Sequence, residues 1–327
     1  MGGHGMRCRH HGRTLRTFSL SNGRLIPEAA AFIPWLALLS VLVLIIAALT
    51  RRKVLSAVTV LCLVCQIVWH VGFFLPAPRI AEEAVEAVPE QTTPRDTVMR
   101  VMTLNTKNGN ADAEQIVSIV RDQHVEVLAM QEVSGSLIER LSAAGLDELL
   151  PSRVIGLAGA GDNGGVTSST RSRPCATLRK ASCPSPDLRA GLHDNRRIPR
   201  GAPRQRASHI AQDGHARLLE REPHQLGNLA PIQHEYLIMG DFNSTWDHSR
   251  YRKMLGDTLV DASEQAGEGF HMTYPSEPHY AMVPVPPMIE IDHIVYSKNS
   301  GMSVGDLETV NVQGSDHFAL LGTWVIE

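Results

Sequence analysis

The chain has 327 residues, 43% of them hydrophobic and 20% charged, with a formal net charge of -3. That length holds a membrane segment plus one α/β domain of roughly 200 residues, and the near balance of charge removes bulk electrostatics as an argument for nucleic-acid affinity. The five cysteines show neither a disulfide framework nor zinc spacing: Cys62 and Cys65 lie in an apolar run as two small hydrophobes, and Cys8 lies in a basic leader.

The leader covers residues 1–28 and carries Arg7, Arg9, Arg13, Arg16 and Arg24. Two uncharged apolar runs follow, 29–50 and 54–75. Each has the ~20 residues needed to cross a hydrocarbon core. The spacing predicts a transmembrane hairpin over 29–75, with the lipid bilayer as a partner and a multi-pass cell-membrane location. No protein partner is inferred. Trp35, Trp69 and Phe73-Phe74 suit interfacial belts, and His70 reads as an interface residue that snorkels. Arg51-Arg52-Lys53 in a tight turn argues for a cytoplasmic turn and an extracytoplasmic bulk domain, while the leader arginines argue the reverse. The first of these is the expectation adopted. Residues 76–97, with Pro78, Pro89, Pro94 and the cluster Glu82-Glu83-Glu86-Glu90, read as a solvated linker.

The bulk domain is expected over 98–327. Its first strand runs from Val98 and ends in Asn105. A helix follows over 112–122, with Ile116, Val117, Ile119 and Val120 at helical spacing. A second strand over 125–130 ends in Gln131-Glu132, and another helix runs over 134–144. This β-α-β-α order argues an α/β sheet, in which ligands gather at strand ends. Further on, the apolar run Tyr236-Leu237-Ile238-Met239 delivers Gly240-Asp241-Phe242-Asn243. The spacing puts Asp241 and Asn243 on one side of the strand. A strand over 288–296 carries Asp292, another is expected over 307–312, and Gly314-Ser315-Asp316-His317 precedes a closing strand over 319–326.

These groups permit one specific chemistry. Glu132, with Asn105, can hold Mg²⁺, which prefers carboxylate, amide and water oxygens. Asp241 can orient or deprotonate a water for in-line attack on phosphorus, and Asn243 can donate to a phosphate oxygen as charge develops. His317, oriented by Asp292, can donate to the phosphate or move a proton. Asp316 can assist the metal or hold the loop. The bland readings are a turn Asn, a capping Gln-Glu pair and an ordinary loop Asp-His. Thr273-Tyr274-Pro275 and Pro284-Val285-Pro286-Pro287 read as plain turns.

In this order, Leu104-Asn105, Gln131-Glu132, Gly240-Asp241-Phe242-Asn243, Ile291-Asp292-His293 and Ser315-Asp316-His317 resemble the motif series of the endonuclease/exonuclease/phosphatase superfamily, over residues 98–166 and 234–327. The resemblance implies a four-layered α/β sandwich of the deoxyribonuclease I type. It implies a Mg²⁺-dependent (or Mn²⁺-dependent) phosphodiesterase or phosphomonoesterase acting on nucleic acid, phospholipid or sugar phosphate. The apolar double span resembles the membrane-bound bacterial members.

Residues 167–233 depart from that pattern. They are rich in Arg, Pro, Ser and His, contain no Phe, Tyr or Trp, and offer no period-2 apolar run. The superfamily resemblance implies central strands here, including a Tyr-Ser-x-x-Pro-like turn and a second catalytic His. His193, His209, His215 and His224 lack a strand context, and none is assigned. Three readings stand: a disordered insert, a basic nucleic-acid patch lacking interleaved aromatics, and translation out of frame. For the last, joining each codon's third base to the next two from Thr167 permits apolar-apolar-Tyr-Ser-apolar-small-Pro-Met-Arg, the kind of turn that the superfamily resemblance implies after Gly164-Gly165. A competing expectation is therefore a membrane protein that retains only an inactive or misfolded remnant of the domain.

Overall fold

A computed structural model describes residues 25–75, 98–155, 165–170, 189–190, 236–276, 285–298, 300 and 302–326. The strands are β1 (Val98–Asn105), β2 (Val127–Val133), β3 (Ser152–Ile155), β4 (Gly165–Thr170), β5 (Arg189–Ala190), β6 (Tyr236–Asp241), β7 (Leu259–Asp261), β8 (Asp292–Ser297), β9 (Met302–Asn311) and β10 (Phe318–Ile326). They form one sheet ordered β3-β4-β2-β1-β10-β9 and another ordered β5-β6-β8-β7. The helices are α1 (Leu25–Ala30), α2 (Leu36–Leu49), α3 (Lys53–His70), α4 (Ala113–Asp122), α5 (Gly135–Ala143), α6 (Leu146–Leu149), α7 (Ser249–Leu255) and α8 (Ala262–Ala266).

Side-chain alternation along the strands makes the layers. Met99 and Val101 of β1, Leu237 and Met239 of β6, and Ile294 and Tyr296 of β8 share one core with Leu320 and Trp324 of β10. That core fills the space between the sheets. The opposite faces of β1 and β2, through Met102, Leu104, Leu128 and Met130, pack on Ile116 and Val117 of α4 and Leu137 and Leu141 of α5. Val295 of β8 turns outward onto Tyr251, Met254 and Leu255 of α7. Helix, sheet, sheet and helix follow in that order, which is the expected sandwich. Asp112 and Ser134 cap α4 and α5, accepting from the backbone N–H of Gln115 and Leu137.

Several boundaries differ from expectation. The strand expected over 288–296 begins only at Asp292, because Ile289 makes an isolated bridge to Tyr274 instead. The strand expected over 307–312 starts earlier, at Met302, as the antiparallel partner of β10. The anomalous stretch begins inside a strand: Thr167 to Thr170 belong to β4, which pairs antiparallel with both β2 and β3. A ladder uses backbone groups that Ser and Thr carry as well as Val does. Arg189–Ala190 pairs parallel with β6. Residues 191–235, with all four unassigned histidines, lie outside the described residues, as do residues 1–24 and the linker 76–97.

The apolar runs form a helical hairpin, but the first is interrupted. Pro34 sits in a 3-10 turn, Ile33–Trp35, and regular helix starts after it, because proline cannot donate within a helix. Among the described residues only Lys53–Phe74 is long and apolar enough to span a membrane, Ile33–Leu49 being shorter. Gln66 Nε2 reaches Ser40 Oγ at 3.5 Å across the pair. Most of the hairpin is exposed, with Leu49 at 79% and Val54 at 80%. Its other end is docked on the sandwich. Trp35 Nε1 donates to the Met288 carbonyl at 2.7 Å, and Trp69 Nε1 donates to Asp247 Oδ1 at 3.0 Å. Phe73 packs against Trp246 and Phe270, with ring centroids 5.4 and 4.8 Å away, and accepts from Gly269 N–H at 2.6 Å. His70 is not a snorkelling residue. It is buried, with Nε2 3.2 Å from Asp247 Oδ1 and Nδ1 3.0 Å from the Gln66 carbonyl.

Candidate active site

The polar ends of β1, β2, β6 and β8 converge with the loop before β10. Asp241, Asp292 and His317 stand closest, with ligand atoms all within 4.8 Å of one another. Asp292, fully buried, accepts from His317 Nδ1 at 2.7 Å. His317 Nε2 then lies 4.0 Å from Asp241 Oδ2. The Asp292 contact fixes the ring so that Nε2 is the nitrogen presented to the site.

Electrostatics follow from this crowding. Burial alone would lower the His317 pKa, but the Asp292 charge and hydrogen bond, with Asp241 and Asp316 nearby, raise it to about 9. Burial raises the Asp241 pKa, and the Asp292 charge adds to it, to about 6. That rise persists although Asp241 accepts from Asn243 N–H at 2.7 Å, Asn243 Nδ2 at 2.9 Å and Asn105 Nδ2 at 3.0 Å.

Asn243 has a left-handed backbone, φ 48, which Asn tolerates better than most residues. Gly240 has φ 155, and a Cβ there would lie 3.1 Å from Gln131 Nε2. The close approach that this glycine permits is thus to Gln131. Asn105 Nδ2 bridges Asp241 and Glu132 Oε1, the latter at 3.3 Å, while its Oδ1 accepts from Lys107 N–H at 3.0 Å. Asn105 therefore offers the carboxylates an N–H. Glu132 Oε2 accepts from Asn108 N–H at 3.0 Å. Asp316 is not among the three clustered residues. Its carbonyl accepts from Ser276 N–H at 2.8 Å, tying the His317 loop to the Tyr274 loop.

Four further residues build the site. Ser315 Oγ donates to the Asn105 carbonyl at 2.7 Å and accepts from His317 N–H at 2.9 Å, joining the tip of β1 to the histidine loop. Thr106 Oγ1 lies 2.8 Å from the carbonyls of both Gln131 and Glu132. Tyr274 places its ring 5.0 Å from that of His317, so the segment read as a plain turn supplies a wall of the site. His293, beside Asp292, points away: Nδ1 lies 2.9 Å from Asp261 Oδ2 and Nε2 2.8 Å from the Ser244 carbonyl. It pins the loop that follows Asn243. The Ile291-Asp292-His293 string held the hint, since strand alternation sends adjacent polar residues to opposite faces.

The residues present fit a divalent cation. Asp292 Oδ1 is buried without a hydrogen-bond partner, and the Asp241 carboxylate beside it crowds negative charge that a cation would balance.

Fold and site together define an α/β-sandwich hydrolase acting on phosphate esters. The chain belongs to the endonuclease/exonuclease/phosphatase family, whose model matches residues 102–317, and members of that family depend on divalent metals. No curated protein matches the chain in sequence. Similar solved structures include TDP2 from D. rerio complexed with single-strand DNA product, at 14% identity and TM-score 0.48, covering 70% of this chain and 99% of that one. A mannosyl-6-phosphatase from Bacteroides thetaiotaomicron is 15% identical with TM-score 0.40, covering 69% and 99%. The 3′ phosphatase NExo from Neisseria, bound to product DNA hairpin, is 14% identical with TM-score 0.43, covering 68% and 98%.

Proposed function

We propose that the chain is a membrane-anchored, Mg²⁺-dependent phosphoesterase. The observation that carries the reading is the buried Asp292–His317 pair at 2.7 Å, with Asp241 4.0 Å beyond it. Glu132, with Asn105 and Asp316, would hold a divalent cation, and the ion would neutralise charge at the phosphate. Asp241 orients the attacking water and takes its proton. The water oxygen bonds to phosphorus, the P–O bond to the leaving group breaks, and the leaving oxygen is protonated. His317, kept protonated by Asp292, donates from Nε2 to a phosphate oxygen, and Asn243 donates to another as charge builds. The exposed apolar hairpin supports the anchor, and Arg51-Arg52-Lys53 at its tip supports a cytoplasmic turn with the sandwich outside.

The test is hydrolysis of bis-p-nitrophenyl phosphate by the full chain with Mg²⁺. Asp241→Ala and His317→Ala should each lower the rate by about 10²–10⁴-fold. Activity that survives both changes refutes the site assignment.

A further inference from the structure

The loops that carry the catalytic groups are also the loops on which the hairpin sits. The first is 240–248: Asp241 and Asn243 lie at one end, and Asp247 at the other holds Trp69 and His70. The second is 269–276, in which Gly269 N–H bonds Phe73, Phe270 packs against Phe73 and Phe74, and Tyr274 reaches the His317 ring. The third is 285–292, in which Met288 accepts from Trp35 and Asp292 holds His317. Met288 and Ile289 bond the backbone of Tyr274. Between the indole of Trp35 and the imidazole of His317 there is thus one backbone segment and one side chain.

Indoles at span ends lie at headgroup level. Trp35 and Trp69 stand on the same end of the hairpin, so three short loops carry the site at that level. Helix α7, which starts directly after the Asp247 loop, adds basic residues there. Arg250 and Lys253 are exposed, and Arg252 lies 4.6 Å over the Trp69 ring. Basic residues near a bilayer surface attract the phosphates of anionic headgroups. A freely diffusing substrate would need none of this. A tether of any length would serve it.

We propose that the substrate is the phosphoester of a membrane lipid headgroup, taken at the bilayer surface by a site that the hairpin holds there. The proposal rests on the phosphoesterase reading and the anchor above. Water adds to the lipid phosphorus, one P–O ester bond breaks, and the alcohol leaves with a proton.

The full chain in nanodiscs of phosphatidylglycerol and phosphatidylethanolamine, with Mg²⁺, is the material for the test. Phosphorus NMR follows the lipid, and bis-p-nitrophenyl phosphate, a DNA oligonucleotide and a hexose phosphate are offered in parallel. The expected result is lipid turnover at least tenfold above that of each soluble ester, abolished by Asp241→Asn. Turnover of a soluble ester that depends on Asp241, with the lipid intact, overturns the lipid assignment alone. Hydrolysis of no ester overturns the phosphoesterase reading. A second measurement does not need turnover: phosphatidylethanolamine carrying a diazirine on its amine should crosslink within 240–248, 269–276 or 285–292. Crosslinks confined to other segments overturn the proposal.

Discussion

His293 shows how much one side chain can hold. Burial alone would push its pKa down, but the charge and hydrogen bond of Asp261 and the charge of Glu290 push it up to about 9. Burial would likewise raise Asp261, and His293, with hydrogen bonds from Tyr251 and Ser263, overcomes it and holds Asp261 below its usual value. Burial raises Glu290 to about 8 despite the opposing charge of His293. The signs combine simply. A raised histidine stabilises the fold fully below its unfolded pKa and loses that contribution as pH climbs through about 9. A raised glutamate folds best protonated, so its contribution also falls as pH climbs toward about 8. The lowered Asp261 contributes only above its unfolded value near 4. The expected stability maximum is therefore near pH 4–5, with the melting temperature roughly 5–10 °C lower at pH 9. Circular-dichroism melts across that range check this; a flat or rising profile counts against it. His293→Gln should flatten the alkaline limb.

At the scale of elements, the hairpin and the β6–α7 loop act on each other through Asp247. Both Trp69 and His70 bond its buried carboxylate. Removing that acceptor leaves the buried His70 donor unsatisfied, a cost of about 1–3 kcal/mol, and frees the half-exposed Trp69 indole. Asp247→Ala should speed amide hydrogen exchange in 240–248 and 269–276 while leaving α4 and α5 protected. Equal protection in both regions would mean that the docking holds nothing. Elements of this kind explain what was legible in the sequence. Asn105, Glu132, Asp241, Asp292 and His317 could be read because each closes an apolar strand or opens one. Tyr274 and Ser315 could not, because they act through irregular backbone that no period betrays. Docking of the hairpin was equally hidden, since Trp35 and Trp69 fit an interfacial belt whether or not an indole N–H finds a protein acceptor. Pro34, which interrupts regular helix in the first apolar run, stands in plain view in the sequence.

For the whole molecule, the crowded carboxylates make the fold sensitive to cations. Any ion that binds only the folded state adds stability by mass action, about 2.7 kcal/mol at a concentration one hundred times the dissociation constant. Mg²⁺ should raise the melting temperature by several degrees at neutral pH, and EDTA should reverse the gain. Glu132→Gln should remove most of the response, read by the same melts. A chain that melts identically with and without Mg²⁺ lacks the site.

Strand β1 lies between β2 and β10, pairing Val98 with Val325 at one end and Thr103 with Leu320 at the other. The middle of the sheet is thus sewn from segments far apart in the chain, and the Ser315–Asn105 bond lies at the tip of that seam. Neither half can form the reaction centre on its own. A chain cut short before Phe318 should therefore be inactive, because β1 would lose its antiparallel partner.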